Sequence, residues 1–375
     1  MENKRKILVA PLNWGLGHTT RCIPIIQELL LNNYTPILAS DGHALELLKK
    51  EFPSLKTIEL PSYNIEYSKK GNHLKYKLFL DSPAILKSII KEKRIIKQLV
   101  HDGEIDGIIS DNRFGVHHYK VPSVFITHQL NVLSGTTTWL SSKIHKYIIK
   151  KFDECWVPDL EGQLNLSGIL GHIDDDSLNL KYIGPLSRFD KTITNNEYDI
   201  LAILSGPEPQ RTFLEKELYK EFLKTDKKVL FVRGIIEEEE KSFTFKNITV
   251  FNYMTSSSLE HAINSSKIIV SRSGYTSIMD LAKLDKKAFF IPTPGQYEQE
   301  YLAERLQKFN LVPYCEQDDF ELEKLEKINS FNGLKNLYQP IDYTELFSVL
   351  NQEFIVSDFS IVKENSEPTP NSLST

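Results

Sequence analysis

Short apolar runs alternate with helical periodicity along the first half of the chain. The run at residues 7–10 has the length of a buried strand, and apolar residues spaced i, i+3 and i+4 from Ile23 to Leu30 predict a helix after it. Further apolar runs with flanking turn residues predict strands at 36–39, 107–110, 122–126 and 154–157. Because strands that alternate with helices pair in parallel, this half is predicted to be a doubly wound α/β domain.

The same alternation restarts after a polar, strand-free segment at residues 190–197. Apolar runs predict five more strands, at 200–204, 229–232, 248–251, 268–270 and 288–291. We therefore expect two Rossmann-like, doubly wound parallel-sheet domains, residues 1–189 and 198–353, facing each other across a cleft. The final helix is a candidate for packing back on the first domain. Residues 361–375, rich in Ser, Asn and Pro, are expected to be a disordered tail.

Composition excludes several classes of protein. The 375 residues carry 45 Lys and Arg against 50 Asp and Glu, a net charge of −5 that gives no reason to expect nucleic-acid binding. The three cysteines are widely spaced, so we expect neither a disulfide framework nor a zinc site. No apolar run reaches the roughly 18 residues that span a bilayer, and no signal-peptide pattern opens the chain. We expect a cytoplasmic protein.

Basic charge is concentrated in one part of the first domain. Residues 61–151 hold 15 Lys and Arg but 7 Asp and Glu, a net charge of +8. Within this window, residues 83–100 combine an apolar helical stripe with Lys and Arg elsewhere around the helix, as in helices that lie on anionic membranes. The alternative is a surface helix that buries one side against its own domain. The window favours an anionic or membrane-borne partner.

A glycine-rich loop follows the first predicted strand and contains Gly15, Gly17 and His18. Glycines let the backbone turn tightly near a ligand, and the helix N-terminus after them offers free N–H groups. The third glycine of the dinucleotide fingerprint and the Gly-Lys-Ser/Thr of a P-loop are both missing. His18 is therefore the candidate for chemistry, as a base that accepts a proton from a hydroxyl. A histidine that only caps the helix or packs there is the alternative.

A second candidate site follows the strand at 268–270. The segment Ser271–Asp280 opens a helix, so Ser273 and Gly274 can present backbone N–H groups to a phosphate. Asp280, on that helix, can hold two ribose hydroxyls, although a solvated helix residue is the alternative. Residues 295–300, after the next strand, supply amide and carboxylate groups that suit sugar hydroxyls.

Together these residues resemble GT-B glycosyltransferases. The Gly15–His18 loop and the block from Ser273 through Asp280 to Gln299 are similar to family 28, which includes the N-acetylglucosaminyltransferase of peptidoglycan lipid assembly and plant galactolipid synthases. The resemblance extends from Lys6 to about Leu306. It implies a GT-B fold, an acceptor-binding first domain and a second domain that binds a nucleotide-sugar, usually UDP-linked. It also implies an inverting reaction without a metal or other cofactor.

The resemblance assigns roles to individual positions. Those that it places on the donor side are Arg188, Gly206, Arg211, Phe251, Tyr253, Met254, Arg272, Ser273, Gly274, Tyr275, Ser277, Asp280, Glu298, Gln299 and Glu300. On the acceptor side they are Gly15, Gly17, Asn112 and His128. Three of the donor positions, Arg188, Arg211 and Arg272, would offset leaving-group charge. A structural ion pair is the alternative for Arg272.

Other features qualify the resemblance. Asp111 ends a strand near the cleft and is a candidate to orient His18, with turn chemistry as the alternative. The loops at 110–115 and 205–211 have fewer glycines than the family pattern, which leaves acceptor contacts and part of the phosphate cradle open. The segment Asp174–Asp176 matches the Asp-x-Asp of manganese-dependent glycosyltransferases, but its polar surroundings favour a solvated loop without a metal.

The leading hypothesis is an inverting, metal-independent glycosyltransferase that moves a hexose-type sugar from a nucleotide-diphosphate donor, such as a UDP-sugar, to an acceptor hydroxyl. A lipid-linked or anionic acceptor would place the protein as a peripheral protein on the inner face of the membrane. Two alternatives stay open. They are a nucleotide-sugar 2-epimerase of the same fold and a sugar- or lipid-binding protein without turnover.

Overall fold

The structure is a computed structural model that describes residues 4–63, 83–131, 138–235, 237 and 239–352, with the backbone alone at 138–141. Within these ranges, no helix combines the length and the apolarity that crossing a bilayer requires. The expected tail at 361–375 lies outside the described residues.

The first half of the chain builds a parallel sheet in which the described residues contribute seven strands. These are β1 (Lys6–Pro11), β2 (Thr35–Ser40), β3 (Thr57–Glu59), β4 (Gly107–Asp111), β5 (Ser123–Ile126), β6 (Glu154–Val157) and β7 (Leu180–Tyr182). Their order is β3-β2-β1-β4-β5-β6-β7. Helices cover the sheet, namely α1 (Gly17–Leu31), α2 (Gly42–Glu51), α3 (Pro83–His101) and α4 (Thr138–Ile149). The inner strands of the sheet are almost completely buried, as parallel strands between helix layers must be, whereas the edge strands β3 and β7 are partly exposed.

The second half builds another sheet, to which the described residues contribute six strands. They are β8 (Tyr198–Ile203), β9 (Val229–Val232), β10 (Ser242–Phe245), β11 (Ile248–Phe251), β12 (Ser266–Ser271) and β13 (Lys287–Phe290). The order is β10-β11-β9-β8-β12-β13, and the pairing is parallel apart from the β10–β11 hairpin. The helices of this half are α5 (Gln210–Phe222), α6 (Ser256–Asn264), α7 (Tyr275–Leu284) and α8 (Tyr297–Lys308). The expected two-domain α/β architecture is confirmed.

Each sheet reverses its strand order at one point, and these points locate the ligand site. In the first sheet the reversal lies between β1 and β4, and in the second it lies between β8 and β12. The loops that leave neighbouring strands at such a point separate and form a crevice at the carboxyl ends of the strands. The loop with His18 follows β1, and the loop with Gly274 follows β12.

The end of the chain returns to the first domain. A short helix, α9 (Tyr343–Leu346), leads into a 3₁₀ turn at Phe347–Asn351. The ring of Phe347 lies 5.7 Å from that of Tyr34 and 6.3 Å from that of Trp156. Tyr34 also donates a hydrogen bond to Asn351 Oδ1 at 2.9 Å. The final segment therefore belongs structurally to the first domain and ties the two halves together.

Helix α3 buries one side and exposes another. Ile85, Glu92 and Ile96 are buried, as expected for a helix that packs against its own domain. Leu86 and Ile90 are about half exposed, on a surface that also carries Lys and Arg. The helix therefore combines an ordinary core-facing side with an apolar and basic outer face.

Candidate active site

A cavity of about 480 Å³ lies between the two domains, where the two reversal points face each other. Loops after β1, β4, β8, β12 and β13 contribute to its walls. The predicted site residues that line it are Gly15, Gly17, His18, Asn112, His128, Arg188, Gly206, Gly274, Tyr275, Ser277, Asp280, Glu298 and Gln299. Residues from both halves of the chain thus share one cavity.

His18 is held by a carboxylate on the neighbouring strand. It stands in the first turn of α1, and its Nδ1 lies 2.8 Å from Oδ1 of Asp111, the last residue of β4. The carboxylate is fully buried, whereas the imidazole keeps 14% of its side chain exposed. Asp111 therefore lies behind the histidine, in the place of a carboxylate that orients a base.

Arg21 completes this arrangement, and the sequence analysis did not single it out. Its guanidinium binds both oxygens of Asp111, with Nε 2.5 Å from Oδ2 and Nη2 in contact with Oδ1. Arg21 is one helical turn after His18, so both side chains lie on the same face of α1. That i, i+3 spacing was the signal available in the sequence.

The charges in this group set its protonation. Burial would raise the pKa of Asp111, but Arg21 and His18 hold it well below its usual range, so the carboxylate is ionised. Burial lowers the pKa of His18, against the opposing effect of Asp111, so its imidazole is neutral at pH 7. Nδ1 of His18 lies 2.8 Å from both Asp111 Oδ1 and Arg21 Nη2. Arg21 Nη2 is itself in contact with Asp111 Oδ1, and the ionised carboxylate favours the tautomer with the proton on Nδ1, which leaves Nε2 to accept a proton from the cavity.

His128 connects this group to the second domain. Its Nδ1 lies 3.0 Å from Arg21 Nη1, and its Nε2 lies 3.0 Å from Oε1 of Glu298 on α8. The ring stacks on Tyr275 at 4.1 Å between centroids with 4° between planes. Gln129 Nε2 contacts the other oxygen of Glu298 at 2.5 Å. His128, predicted on the acceptor side, thus spans the cleft.

The N-terminus of α7 opens into the cavity. Gly274 is the N-cap of this helix and, with no side chain, makes no side-chain cap hydrogen bond. The first-turn N–H groups of a helix have no acceptor within the helix, so they form an anion-binding position here. A Cβ at Gly274 would meet no atom within 4 Å, so there is open space in front of the cap.

Arg188 supplies a cation beside this position. Its side chain lines the cavity, and its guanidinium lies 4.9 Å from the ring centroid of Phe189. Within the described residues its Nε has no hydrogen-bond partner. Burial lowers the pKa of Arg188, with opposing effects of Asp280 and Glu51, yet a guanidinium remains charged at pH 7. It is therefore available to an anionic ligand.

Asp280 is a carboxylate in an unfavourable environment. Ser187, in the segment between the domains, donates a hydrogen bond to its Oδ1 at 2.5 Å. Burial raises the pKa of Asp280 to about 6, against the opposing effects of Ser187, Arg188 and Lys283. The second oxygen has no hydrogen-bond partner within the described part of the chain. Asp280 can therefore accept hydrogen bonds from a ligand.

The loop after β13 is held by side chains of its own domain. Gln299 accepts a hydrogen bond from Thr293 N at 2.8 Å, and Glu300 accepts one from Gly295 N at 2.7 Å. Gln299 Nε2 donates to Gln296 Oε1 at 2.8 Å. These bonds shape the loop, and Glu300, predicted to contact the donor, does not line the cavity.

Several predicted donor-side residues lie outside the cavity. Arg272 is fully buried and donates to three backbone carbonyls and to Gln317 Oε1, so it is structural without being an ion pair. Arg211 is bonded to Glu208 and Glu215 on its own helix and loop. Neither guanidinium lines the cavity, because each is held by carbonyls or carboxylates of its own domain, and their donor-side roles stay predictions.

Other donor-side predictions also fall outside the lining. Ser273 is fully buried, and its hydroxyl donates to Gln299 O at 2.7 Å, which leaves only its backbone near the cavity. Phe251, Tyr253 and Met254 do not line the cavity either. Phe251 and Met254 pack against the hydrophobic core. The apolar residues Leu259 and Phe189 line the cavity instead.

The part of the cavity that the first domain forms combines a tight loop with apolar walls. Gly15 has a φ of 68°, which favours glycine, and a Cβ at Gly17 would lie 2.8 Å from Thr276 Oγ1 of the second domain. Asn112 donates to Asp111 Oδ1 at 3.2 Å. Trp14 and Phe114 give this part of the cavity an aromatic lining.

The Asp174–Asp176 segment does not line the cavity. Asp175 accepts hydrogen bonds from Ser177 and forms an ion pair with Lys146 at 3.2 Å. In the part of the chain that the structure describes, no group of three or more His, Cys, Asp or Glu side chains could hold a metal ion. The segment is a surface loop, as expected.

Comparison with known proteins also indicates a glycosyltransferase. Residues 201–340 match the model of the glycosyltransferase family 28 C-terminal domain. The UDP-N-acetylglucosamine--N-acetylmuramyl-(pentapeptide) pyrophosphoryl-undecaprenol N-acetylglucosamine transferase of Buchnera aphidicola is 26% identical over 261 residues, 67% of this chain and 70% of that protein. An uncharacterized glycosyltransferase of Methanosarcina acetivorans is 22% identical over 79% of this chain and 81% of its own length.

Solved structures share the fold. The calicheamicin glycosyltransferase CalG4 superposes with a TM-score of 0.61 at 12% identity, over 90% of this chain and 92% of its own. MurG of Acinetobacter baumannii gives a TM-score of 0.50 at 12% identity, over 87% and 90%. The solved structures show a GT-B fold, and with the family 28 C-terminal domain at residues 201–340 and the named relatives they make the chain a family 28-like glycosyltransferase.

Proposed function

We propose that the chain is an inverting glycosyltransferase that moves a hexose-type sugar from a UDP-sugar to the hydroxyl of a lipid-linked acceptor. The observation that carries this proposal is the juxtaposition of His18 and the α7 N-terminus. The imidazole, oriented by Asp111, faces a cavity into which the uncapped end of α7 also opens. A base and an anion-binding position that share one cavity suit displacement of a diphosphate by a hydroxyl.

In the proposed reaction, the acceptor oxygen forms a bond to the anomeric carbon of the donor sugar. The hydroxyl proton passes to Nε2 of His18 as the bond from the anomeric carbon to the diphosphate oxygen breaks. Attack from the face opposite the leaving group inverts the anomeric centre. Asp111 stabilises the imidazolium that forms, and the leaving diphosphate carries the electron pair away.

Developing negative charge on the diphosphate is offset by the protein. The N–H groups at the start of α7 and the helix dipole favour an anion there, and the Arg188 guanidinium adds a full positive charge. These groups support our proposal that the enzyme needs no metal. Asp280 is proposed to accept hydrogen bonds from the ribose. Gln299 is proposed to form hydrogen bonds with the donor sugar.

The donor and acceptor classes are supported by two kinds of observation. The Buchnera relative is named for UDP-N-acetylglucosamine and for a pyrophosphoryl-undecaprenol acceptor. In this chain, Trp14 and Phe114 line the acceptor side, and the exposed Leu86 and Ile90 of α3 lie among basic residues. We therefore propose a peripheral association with the inner face of the membrane through α3.

The two alternatives have less support. The named relatives are transferases, which favours transfer over 2-epimerisation. A protein that only binds sugars or lipids would not need an ionised Asp111 held by Arg21 behind a neutral His18.

The proposal is tested by incubating the enzyme with UDP-N-acetylglucosamine, with and without membrane lipid extract, and analysing the products. We expect UDP release that depends on the extract, together with a new glycolipid. The His18→Ala variant should lose about 10²- to 10⁴-fold in rate while UDP raises its Tm as in the wild type. The exposed His43→Ala variant is the control. An epimerised UDP-sugar, or full activity in His18→Ala, would refute the mechanism.

A further inference from the structure

Glu298 makes contacts that a donor-binding residue does not need. It is the second residue of α8, in the second domain, yet both of its carboxylate oxygens bind side chains of the first domain. Oε1 lies 3.0 Å from His128 Nε2, and Oε2 lies 2.5 Å from Gln129 Nε2. A third of the side chain is exposed, on the wall of the cavity. Its hydrogen bonds therefore cross the cleft.

The partner of Glu298 is fixed from its other side. Arg21 can only donate, so Nδ1 of His128 accepts from it at 3.0 Å and the proton of a neutral ring is on Nε2. The ring also stacks on Tyr275, whose hydroxyl donates to Pro158 O at 2.9 Å. With both nitrogens and one face in use, His128 cannot turn without losing these contacts. It presents an N–H to Glu298 in a set direction.

The contacts continue to the candidate base. Arg21 binds His128 with Nη1 and Asp111 with Nε and Nη2, and Asp111 binds His18. A chain of hydrogen bonds thus runs from Glu298 to His18. Other bonds between the domains, such as Thr276 Oγ1 to Gly17 O at 3.3 Å and Arg305 Nη2 to Asn165 Oδ1 at 3.0 Å, do not involve the residues of this chain of hydrogen bonds.

Glu298 is also joined to the anion-binding position. The next residue, Gln299, accepts a hydrogen bond from Ser273 Oγ at its backbone oxygen, 2.7 Å away. Ser273 precedes Gly274, the N-cap of α7. This bond uses the backbone oxygen of Gln299, so removing the Glu298 carboxylate leaves it in place.

We propose that Glu298 is a positioning residue, which fixes the sugar-binding loop at residues 293–299 onto the acceptor domain through His128 and Gln129. It sets the distance between His18 and the donor in the closed cleft. This inference rests on the proposed function, because it assigns the loop to the donor sugar. It gives Glu298 a role different from direct sugar binding, since both oxygens are already held by the first domain.

Hydrogen–deuterium exchange of the full-length, unliganded enzyme tests the contact itself. In Glu298→Ala, amides at residues 127–130 and 293–299 should exchange about tenfold faster than in the wild type. The matched control is Glu304→Ala, an exposed residue of the same helix, which should leave both segments unchanged. His128→Ala should accelerate the 293–299 segment by less, because the bond from Gln129 to Glu298 remains, and the double variant should exchange there no faster than Glu298→Ala. Unchanged exchange at 127–130 in Glu298→Ala, or additive effects, would overturn the proposal.

Binding and transfer separate this proposal from the proposed function. Glu298→Ala should bind UDP as the wild type does, within about twofold by calorimetry, because its contacts do not include the α7 N-terminus. Its kcat for sugar transfer should fall at least tenfold, while the KM for the donor changes less. A large change in KM with normal kcat would mean that Glu298 binds the sugar directly, which overturns the proposal. If wild-type enzyme transfers no sugar, the proposed function fails and the exchange result still decides whether the contact exists.

Discussion

At the scale of single residues, Asp111 behind His18 and Asp280 in the wall of the cavity have opposite electrostatic environments. Asp111 has its pKa held well below the usual range by Arg21 and His18, in spite of burial. Burial instead raises the pKa of Asp280 to about 6, because Ser187 and more distant cations compensate less. The first arrangement keeps a negative charge behind the base. The second leaves a carboxylate with an oxygen that can accept hydrogen bonds from a ligand.

The pair formed by Arg21 and Asp111 predicts a strong but non-additive effect on stability. Arg21→Met leaves the buried Asp111 charge unpaired and should lower the free energy of unfolding by about 3–5 kcal/mol. Adding Asp111→Asn to this variant should restore part of the loss. Urea titrations of the two variants measure the difference. The control, Lys56→Met, breaks an exposed pair with Glu104 and should cost no more than about 1 kcal/mol. Equal losses in the single and double variants would contradict this interpretation.

We expect replacement of Asp280 by Asn to stabilise the folded protein but to weaken UDP binding. Its folded pKa of about 6 exceeds its ordinary value of 3.8, so the folded state loses stability as pH rises from about 4 to 6. Asp280→Asn should remove that loss, raising the unfolding free energy by about 1–2 kcal/mol above pH 7 and by nothing below pH 4. It should also weaken UDP binding about tenfold. Thermal unfolding across this pH range, with calorimetry of UDP, checks both; stabilisation confined to low pH would refute the argument.

Sequence reasoning at this scale succeeded where local pattern determines position. His18 and Gly274 follow strands at reversal points, and the strand–loop–helix pattern alone predicts that they face a cleft. The positions of the Arg272 and Arg211 side chains could not be predicted, because the direction of a long side chain depends on which carbonyls and carboxylates lie nearby after folding. The contact of Glu298 with His128 joins residues 170 positions apart, so no local pattern predicts it.

At the scale of elements, we expect a negative charge at the N-terminus of α7 to stabilise the fold and to weaken UDP binding. Ser277→Asp places a carboxylate in the first turn, where the helix dipole should stabilise the unliganded protein by about 0.3–1 kcal/mol. The same charge should repel a diphosphate and weaken UDP binding at least tenfold. Ser257→Asp, at the exposed start of α6, is the matched control and should leave UDP affinity within about twofold. Calorimetry measures both, and equal losses in the two variants would exclude a specific anion site at α7.

Most strands could be predicted, and the exceptions have a common reason. The ten expected strands were apolar because parallel strands between helix layers are buried on both faces. Strands β3, β7 and β10 were not expected; they lie at sheet edges or are exposed, as in the Ser-Phe-Thr-Phe of β10. An edge strand pairs on one side only and needs less apolar surface, so its sequence carries a weaker signal.

At the scale of the whole molecule, the outer face of α3 predicts binding to anionic membranes. Replacing Lys87 and Lys91 with Gln should weaken binding to phosphatidylserine vesicles about 30-fold, at roughly 1 kcal/mol for each cation near the surface. Binding to neutral phosphatidylcholine vesicles should change little. The control replaces Lys49 and Lys50, exposed on α2, in the same way. Cosedimentation measures the binding, and equal effects of the two variants would argue against a specific role of α3.

The arrangement of the two domains could be predicted only in part. The alternation of strands and helices indicated two α/β domains, and the family resemblance implied that they face each other across a cleft. The return of Phe347 to the first domain and the contacts of His128 across the cleft depend on packing between distant segments. They determine how closely the domains approach, which is the property that sets the distance between base and donor.

The central claim is that a nucleoside diphosphate binds with its phosphates at the start of α7, opposite His18. A crystal structure of the enzyme with UDP tests it most directly. The account predicts the diphosphate on the amides of residues 274–277 and near Arg188, with the ribose hydroxyls within hydrogen-bond distance of Asp280. A nucleotide bound instead in the separate cavity near Glu28 and Tyr343 would contradict it.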